Sequence, residues 1–284
     1  MMSKSNYLSI YAKSFNWAAY FLPKKTYLNC SKLYDFCRTV DNIADENGEL
    51  DVKKKKLLDF KNSFINKDYN NHIIKEMWNL IECFEIPTKI INDLFDGVES
   101  DLKERVQLNS KKDLLIYSYR VAGTVGLMMA KILNVQKKNA LKSAIDLGIA
   151  MQLTNISRDV VEDSKNNRFY IFHNFESIKE TLETADKFYE SSFASIKEIP
   201  LNFRFSILVA RRIYKHIGHN ILKKKNIENY NNSGKIFVSN AGKIIQTILS
   251  VYDLLRLLLI NQKDHIRDKE HQIINEEINL NERF

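Results

Sequence analysis

The chain has 284 residues, 44% of them hydrophobic, with 16 Phe and 13 Tyr, enough apolar surface for a sizeable core. Only 8 Gly and 3 Pro interrupt it, which excludes a turn-rich β protein, and three cysteines (Cys30, Cys37, Cys83) without a Cys-x-x-Cys pair exclude a disulfide framework and structural zinc. The formal charge of +8 suits a phosphate-bearing substrate, an anionic membrane face or nucleic acid.

In chain order, Met1 to Leu22 is broken by Lys4, Asn6, Lys13 and Asn16, so no secretory signal is expected there. Pro23, Pro87 and Pro200 each precede a new helical pattern. Leu33, Phe36, Cys37, Val40 and Ala44 form an apolar stripe at helical spacing, as do Leu141, Ile145, Gly148, Ile149, Leu153 and Ile156. About ten helices are expected, with loops at 66–71 and 227–235. Thr247 to Ile260 is apolar, but it is too short for a bilayer and contains Asp253 and Arg256, so it reads as a buried helix. One all-α body over 1–261 is expected, followed by a polar, loosely held tail over 262–284.

Two motifs carry chemistry. Asp41 and Asp45 stand four apart, so on a helix they share a face, where like charges repel by roughly 0.2–0.5 kcal/mol. A divalent cation offsets this: Mg²⁺ takes one or two carboxylates plus substrate phosphates. Tyr34 and Arg38 lie seven and three residues earlier on that face, and an arginine there suits a diphosphate. The pattern returns as Gln152, Asn155, Asp159 and Asp163, at steps of three, four and four, with Arg158 alongside and Arg168 and Tyr170 just downstream. Two such pairs inside apolar helices, each with an arginine nearby, point to metal–diphosphate binding, because burying several uncompensated carboxylates costs too much. Between them, Ala122, Gly123, Gly126 and Ala130 leave room along a helix, either for close helix packing or for a long apolar chain.

These residues make the sequence recognisable. Lys13-Ser-Phe15, Leu22-Pro23 and Leu33-Tyr34-x-Phe36-Cys37-Arg38-x-x-Asp41-x-x-x-Asp45 resemble the opening signature of the squalene/phytoene synthase family. The run Tyr119-Arg-Val-Ala-Gly-Thr-Val-Gly-Leu-Met-Met-Ala130 is similar to the central signature of its bacterial phytoene synthase branch, and Asp146 to Asp163 resembles the second Asp-rich motif. Further similarity covers Leu94 to Asp101, Ile213 to Gly218 and Lys235 to Lys243, so that the resemblance spans nearly the whole chain. Many relatives carry a second Asp directly after the first; here Asn42 stands there, facing away from the Asp41–Asp45 side.

The resemblance implies an isoprenoid-synthase fold, with two Asp-rich helices facing across a central cavity. It implies head-to-head condensation of two prenyl diphosphates, here two geranylgeranyl diphosphates to phytoene in carotenoid biosynthesis. The rivals are a C30 synthase using farnesyl diphosphate and a non-catalytic helper of the same fold. The resemblance further implies Asp41 and Asp45 as metal ligands on one wall and Asn155, Asp159 and Asp163 on the other, with Mg²⁺ or Mn²⁺ and without NADPH. Tyr34, Arg38, Tyr119, Arg158 and Tyr214 become the catalytic set; Ser14, Phe15, Arg38, Gln152, Arg158, Arg168 and Tyr170 hold substrate. The first helix carries Phe15, Ala18, Ala19 and Leu22 on one stripe, so the small alanines either lengthen the substrate tunnel or pack on a neighbouring helix. Oily substrates imply a cytoplasmic protein with peripheral membrane contact. Nucleic acid is not expected, because paired carboxylates repel its phosphates. The sequence does not fix the oligomeric state.

Overall fold

The computed structural model describes residues 13–260 and 268–284. The expectation that Met1 to Leu22 is not a secretory signal falls partly on residues outside these ranges, as does the division at 261/262.

The helices follow the apolar stripes. α1 is Lys13–Ala19, α2 Lys24–Asp45, α3 Leu50–Ile65, α4 His72–Phe84 and α5 Thr88–Glu99. α6 (Lys111–Ser118) continues through one π-helical turn, Tyr119–Gly123, into α7 (Thr124–Ile132). Then come α8 (Lys138–Lys165), α9 (Phe175–Phe193), α10 (Leu201–Leu222), the short α11 (Ile227–Asn231), α12 (Asn240–Leu259) and α13 (Lys269–Glu277). Pro23, Pro87 and Pro200 sit directly before α2, α5 and α10, where the missing N–H costs nothing. Both stripes read from the sequence are buried on α2 and α8.

α8, 28 residues long, is the axis of the fold; α7, α9, α10 and the π turn pack around it. Two glycines let backbones touch there. A Cβ on Gly126 would stand 2.3 Å from the carbonyl oxygen of Ala144, and one on Gly148 would stand 2.3 Å from that of Ala122. The small-residue run therefore packs helix on helix, and it also lines the cavity through Val121, Ala122, Val125 and Gly126.

The structure departs from expectation in several places. Val106–Gln107 and Arg168–Phe169 form a two-residue parallel strand pair, and part of the expected loop at 227–235 is α11. The sequence favours buried apolar thiols for the three cysteines; Cys30 and Cys37 are buried, whereas Cys83 is exposed. The tail is docked at residues 268–284. Glu270 accepts from Lys187 (2.6 Å) and Lys111 (2.9 Å), buried His271 lies 3.2 Å from Asp146, and Arg283 grips Asp93 with two 3.0 Å bonds. Its polarity reflects a polar docking site. Finally, the stretch Thr247 to Ile260 is not buried: most of its apolar side chains face outward. No helix among the described residues is long and apolar enough to cross a membrane.

Candidate active site

A cavity of about 1490 Å³ runs between α2 and α8. It exceeds the roughly 300–1,000 Å³ of a site for one drug-sized ligand and has room for two long chains. Ser14, Phe15, Tyr34, Arg38, Asp41 and Asp45 line one side; Gln152, Asn155, Arg158, Asp159 and Asp163 line the other; Arg168, Tyr170 and Tyr214 complete it. The helical spacing of both motifs thus brings almost every expected residue to one space.

Tyr119 is the exception. The π turn rotates it off the cavity wall, and it is fully buried with its hydroxyl donating to Asp93 at 2.7 Å. Arg283 holds the other side of Asp93, so Tyr119 braces the wall from behind and is not among the residues that meet the cavity. Ala18 and Ala19 also stay outside it. Each is 2% exposed; Ala18 belongs to the apolar cluster of Val209, Ala210 and Ile213 on α10, and its carbonyl accepts from Ser206. Of the two alternatives for this stripe, helix packing holds.

Each wall has one carboxylate in cationic hands and one without. Asp45 accepts from Arg168 at 2.8 Å and lies 3.6 Å from Arg38. Asp159 is gripped by both arms of Arg158 and lies 3.4 Å from Lys235. Asp41 and Asp163 make no ion pair with any described residue. Burial, then the neighbouring Asp45, pushes the Asp41 carboxyl up to about 7; burial, then Asp159, does the same to Asp163. One turn before Asp159 the amide of Asn155 donates to Gln152 at 3.4 Å, leaving its Oδ1 buried without a hydrogen-bond partner. Such an orphaned oxygen is costly unless a ligand uses it.

Among the described residues no three His, Cys, Asp or Glu side chains converge as a ready-made metal cage. The donor set nevertheless fits a hard cation: two unneutralised carboxylates and an orphaned amide oxygen, all oxygen donors. Mg²⁺ characteristically takes one or two carboxylates and completes its shell with water and substrate phosphate.

One cluster escaped the sequence reading. Asp101 accepts from Tyr117 (2.8 Å) and Tyr170 (2.9 Å), whose rings stack at 4.7 Å, and burial raises its carboxyl. Arg168 lies close enough to counter that rise. Asp101 stands in a stretch of family likeness but has no partner at helical spacing, so its role shows only in three dimensions. Lys235 and Lys243 also line the cavity and were missed for the same reason.

Residues 8–171 match the squalene/phytoene synthase family, more than half of the chain. The chain belongs to that family. It is 30% identical over 243 residues to the phytoene synthase of Cereibacter sphaeroides, covering 74% of this chain and 68% of that one. It is 26% identical to the 15-cis-phytoene synthase of Pantoea ananas, covering 74% and 79%. Among solved structures, a dehydrosqualene synthase with bound ligand superposes with a TM-score of 0.71 at 26% identity, covering 88% of this chain and 94% of that one. A squalene synthase from Alicyclobacillus acidocaldarius superposes with a TM-score of 0.67 at 16% identity, covering 78% and 91%. The fold is the all-α isoprenoid-synthase fold expected from the motifs.

Proposed function

We propose that the protein is a prenyltransferase that condenses two geranylgeranyl diphosphates head to head, through prephytoene diphosphate, to phytoene. The observation that carries this reading is the pair of opposed Asp-bearing helices on one cavity large enough for two prenyl chains. The phytoene synthases at 30% and 26% identity favour the C20 substrate.

Asp41 and Asp45 on α2 and Asn155, Asp159 and Asp163 on α8 would hold Mg²⁺ or Mn²⁺, which when bound would supply positive charge that favours departure of diphosphate from the allylic carbon. The chain's own residues do the rest. Arg38, Arg158, Arg168 and Lys235 project from different elements onto the same end of the cavity, where they hold diphosphate oxygens. Tyr34 and Tyr214 line the wall next to them, and their aromatic faces steady the allylic cation. Phe15, Val121, Leu147 and Met151 line the prenyl channel and exclude water that would quench that cation. Both substrate and product are lipophilic, so the reading includes peripheral contact with a membrane from the cytoplasmic side. It assigns no role to NADPH and none to nucleic acid.

A second reading, a C30 synthase using two farnesyl diphosphates, is favoured by the superposition on a dehydrosqualene synthase. A non-catalytic helper is disfavoured, because every expected metal ligand lines the cavity. Incubation with Mg²⁺ and labelled C15 or C20 diphosphate, with and without NADPH, separates them. Phytoene from the C20 substrate with Mg²⁺ alone is expected. A C30 hydrocarbon as the preferred product would establish the second reading, and a product that appears only with NADPH would make the protein a squalene synthase.

A further inference from the structure

α12 is built inside out. Its buried positions are Lys243, Gln246, Ser250, Asp253 and Leu257, four of them polar. Its outward positions carry nine exposed large apolar residues, among them Ile244, Ile248, Tyr252, Leu255, Leu258 and Leu259, the last 84% exposed. The inner face has polar partners that fix this orientation. Arg212 on α10 pairs with Asp253, and His216 meets Gln246 at 3.3 Å. On the flank, Trp17 donates to Thr247 at 3.0 Å. Rolling α12 to hide its leucines would break these bonds, so the apolar face stays outside. A helix of this length presents a stripe about 30 Å long, larger than the apolar patches soluble monomers usually expose.

The patch has a charge to match. Residues 201–260 contain ten Lys and Arg against two acidic residues, a net +8, while the other 224 residues balance at 33 and 33. The whole net charge of the chain therefore lies in the segment that carries this face. Arg211, Arg212, Lys215 and Lys235 are tied up in ion pairs. Lys223, Lys224, Lys225 and Arg256 form no ion pair with a described residue; exposed Arg256 lies over the Phe193 ring at 4.9 Å. The antiparallel pairing of α10 with α12 sets the lysine run at the first end of the face, and Arg256 lies near the other. Exposed Phe237 stands just before α12, in the 235–240 segment that also lines the cavity, so the face begins at the cavity rim.

We infer that the outward face of α12 is the surface by which the protein rests on an anionic phospholipid bilayer, its leucines in the headgroup–acyl boundary and Lys223, Lys224, Lys225 and Arg256 against phosphate groups. This is the physics of an interfacial amphipathic helix. It rests on the peripheral contact proposed above and says where that contact is made. Oily product then leaves the rim straight into the lipid. A second copy of the chain fits the face less well. Both ends of the stripe are basic, so a two-fold pairing in either direction sets like charges together with no carboxylate between them.

The test is flotation of the full chain with vesicles of phosphatidylcholine containing a minority of phosphatidylglycerol, and of phosphatidylcholine alone. Two variants are compared: Ile248→Ser/Leu255→Ser/Leu259→Ser and Lys223→Glu/Lys225→Glu. Wild type should float with the anionic vesicles, and each variant should bind roughly tenfold or more weakly while melting at the wild-type temperature. Variants that float like wild type would overturn the assignment. So would a wild-type dimer, seen by light scattering, that the serine variant converts to monomer without any change in vesicle binding. Hydrocarbon synthesis is assayed separately on detergent-dispersed substrate. A chain that floats but makes no hydrocarbon would fail the proposed function and keep this surface; one that makes hydrocarbon but never floats would do the reverse.

Discussion

The two carboxylate walls repeat one spacing and neutralise it by different means. On α8 the paired carboxylate is the first of its motif, Asp159, and its guanidinium is the very next residue back, with Lys235 in reserve at 3.4 Å. On α2 the paired carboxylate is the last, Asp45, and its strongest partner is Arg168, brought in by the β strand that follows α8. Arg168 also lies within electrostatic reach of Asp101 and Asp163. The α8 wall is thus poised by its own sequence, whereas the α2 wall depends on the fold closing over it. One arginine ties the two sides together.

The sharpest break in that comparison removes a carboxylate. Asp41→Ala and Asp159→Ala should each cut turnover by about a thousandfold or more, since they act on charge developing at the leaving group. Folding should persist, because neither side chain packs the core; far-UV circular dichroism checks it. Near-normal turnover in one variant would strike that wall from the chemistry.

Arginine exchanges separate the two means of neutralisation. Arg168→Gln should lower turnover about a hundredfold and stability by about 2 kcal/mol, because it removes the positive charge that offsets the burial of Asp101 and leaves Asp45 with only a 3.6 Å contact to Arg38. Arg158→Gln should lower turnover similarly but cost under about 1 kcal/mol, since Asp159 keeps Lys235. Equal losses in urea unfolding would mean that Arg168 is not the tie.

A tyrosine pair distinguishes the cavity from its backing. Tyr214→Leu, which removes the ring that faces the cation, should reduce turnover by about tenfold. Tyr119→Phe should instead lose about 1 kcal/mol of stability with turnover held within about twofold, because only the bond to buried Asp93 is removed.

The smallest effect is a pH dependence with two limbs. The Glu270 carboxyl is held down to about 2 by its bonds from Lys187 and Lys111. Its contribution is therefore complete above the usual Glu value, near 4.5, and is lost as pH falls toward about 2. Asp41 and Asp163 work the other way. Their folded-state values are raised to about 7, so ionising them costs stability as pH climbs from about 4 to 7. Without added metal, the melting temperature should rise by a few degrees from pH 8 to 5 and fall again below about pH 4.5. Asp41→Asn should flatten the neutral limb and Glu270→Gln the acid limb. A melting temperature unchanged between pH 8 and 5 would contradict the buried-carboxylate picture.

Much of this was legible in the sequence wherever periodicity and chemistry coincide. Stripes such as Leu33 to Ala44 and the two Asp pairs sit where their spacing puts them, because a regular helix converts sequence offset directly into a shared face. Legibility failed where geometry departs from that rule. One π turn aims Tyr119 away from the cavity although its surrounding run reads correctly. Asp101 works through Tyr117 and Tyr170, 16 and 69 residues away, a distance that no local pattern carries. Hydropathy recorded that Thr247 to Ile260 is apolar but not which way it faces, and here the polar stripe, not the apolar one, faces the protein.

The crossing of α7 and α8 has a consequence for how this cavity can change over evolutionary time. With Gly126 and Gly148 already in backbone contact, neither position tolerates even a methyl group, so that stretch of wall is closed to adaptation by single substitutions. The far end is lined instead by Ser192, Ser195 and Ile196, ordinary side chains at the end of α9 and in the turn that follows. A lineage that shifts between shorter and longer prenyl chains would accumulate its exchanges there, and a saturation library would show an intolerant glycine seam and a more permissive far end.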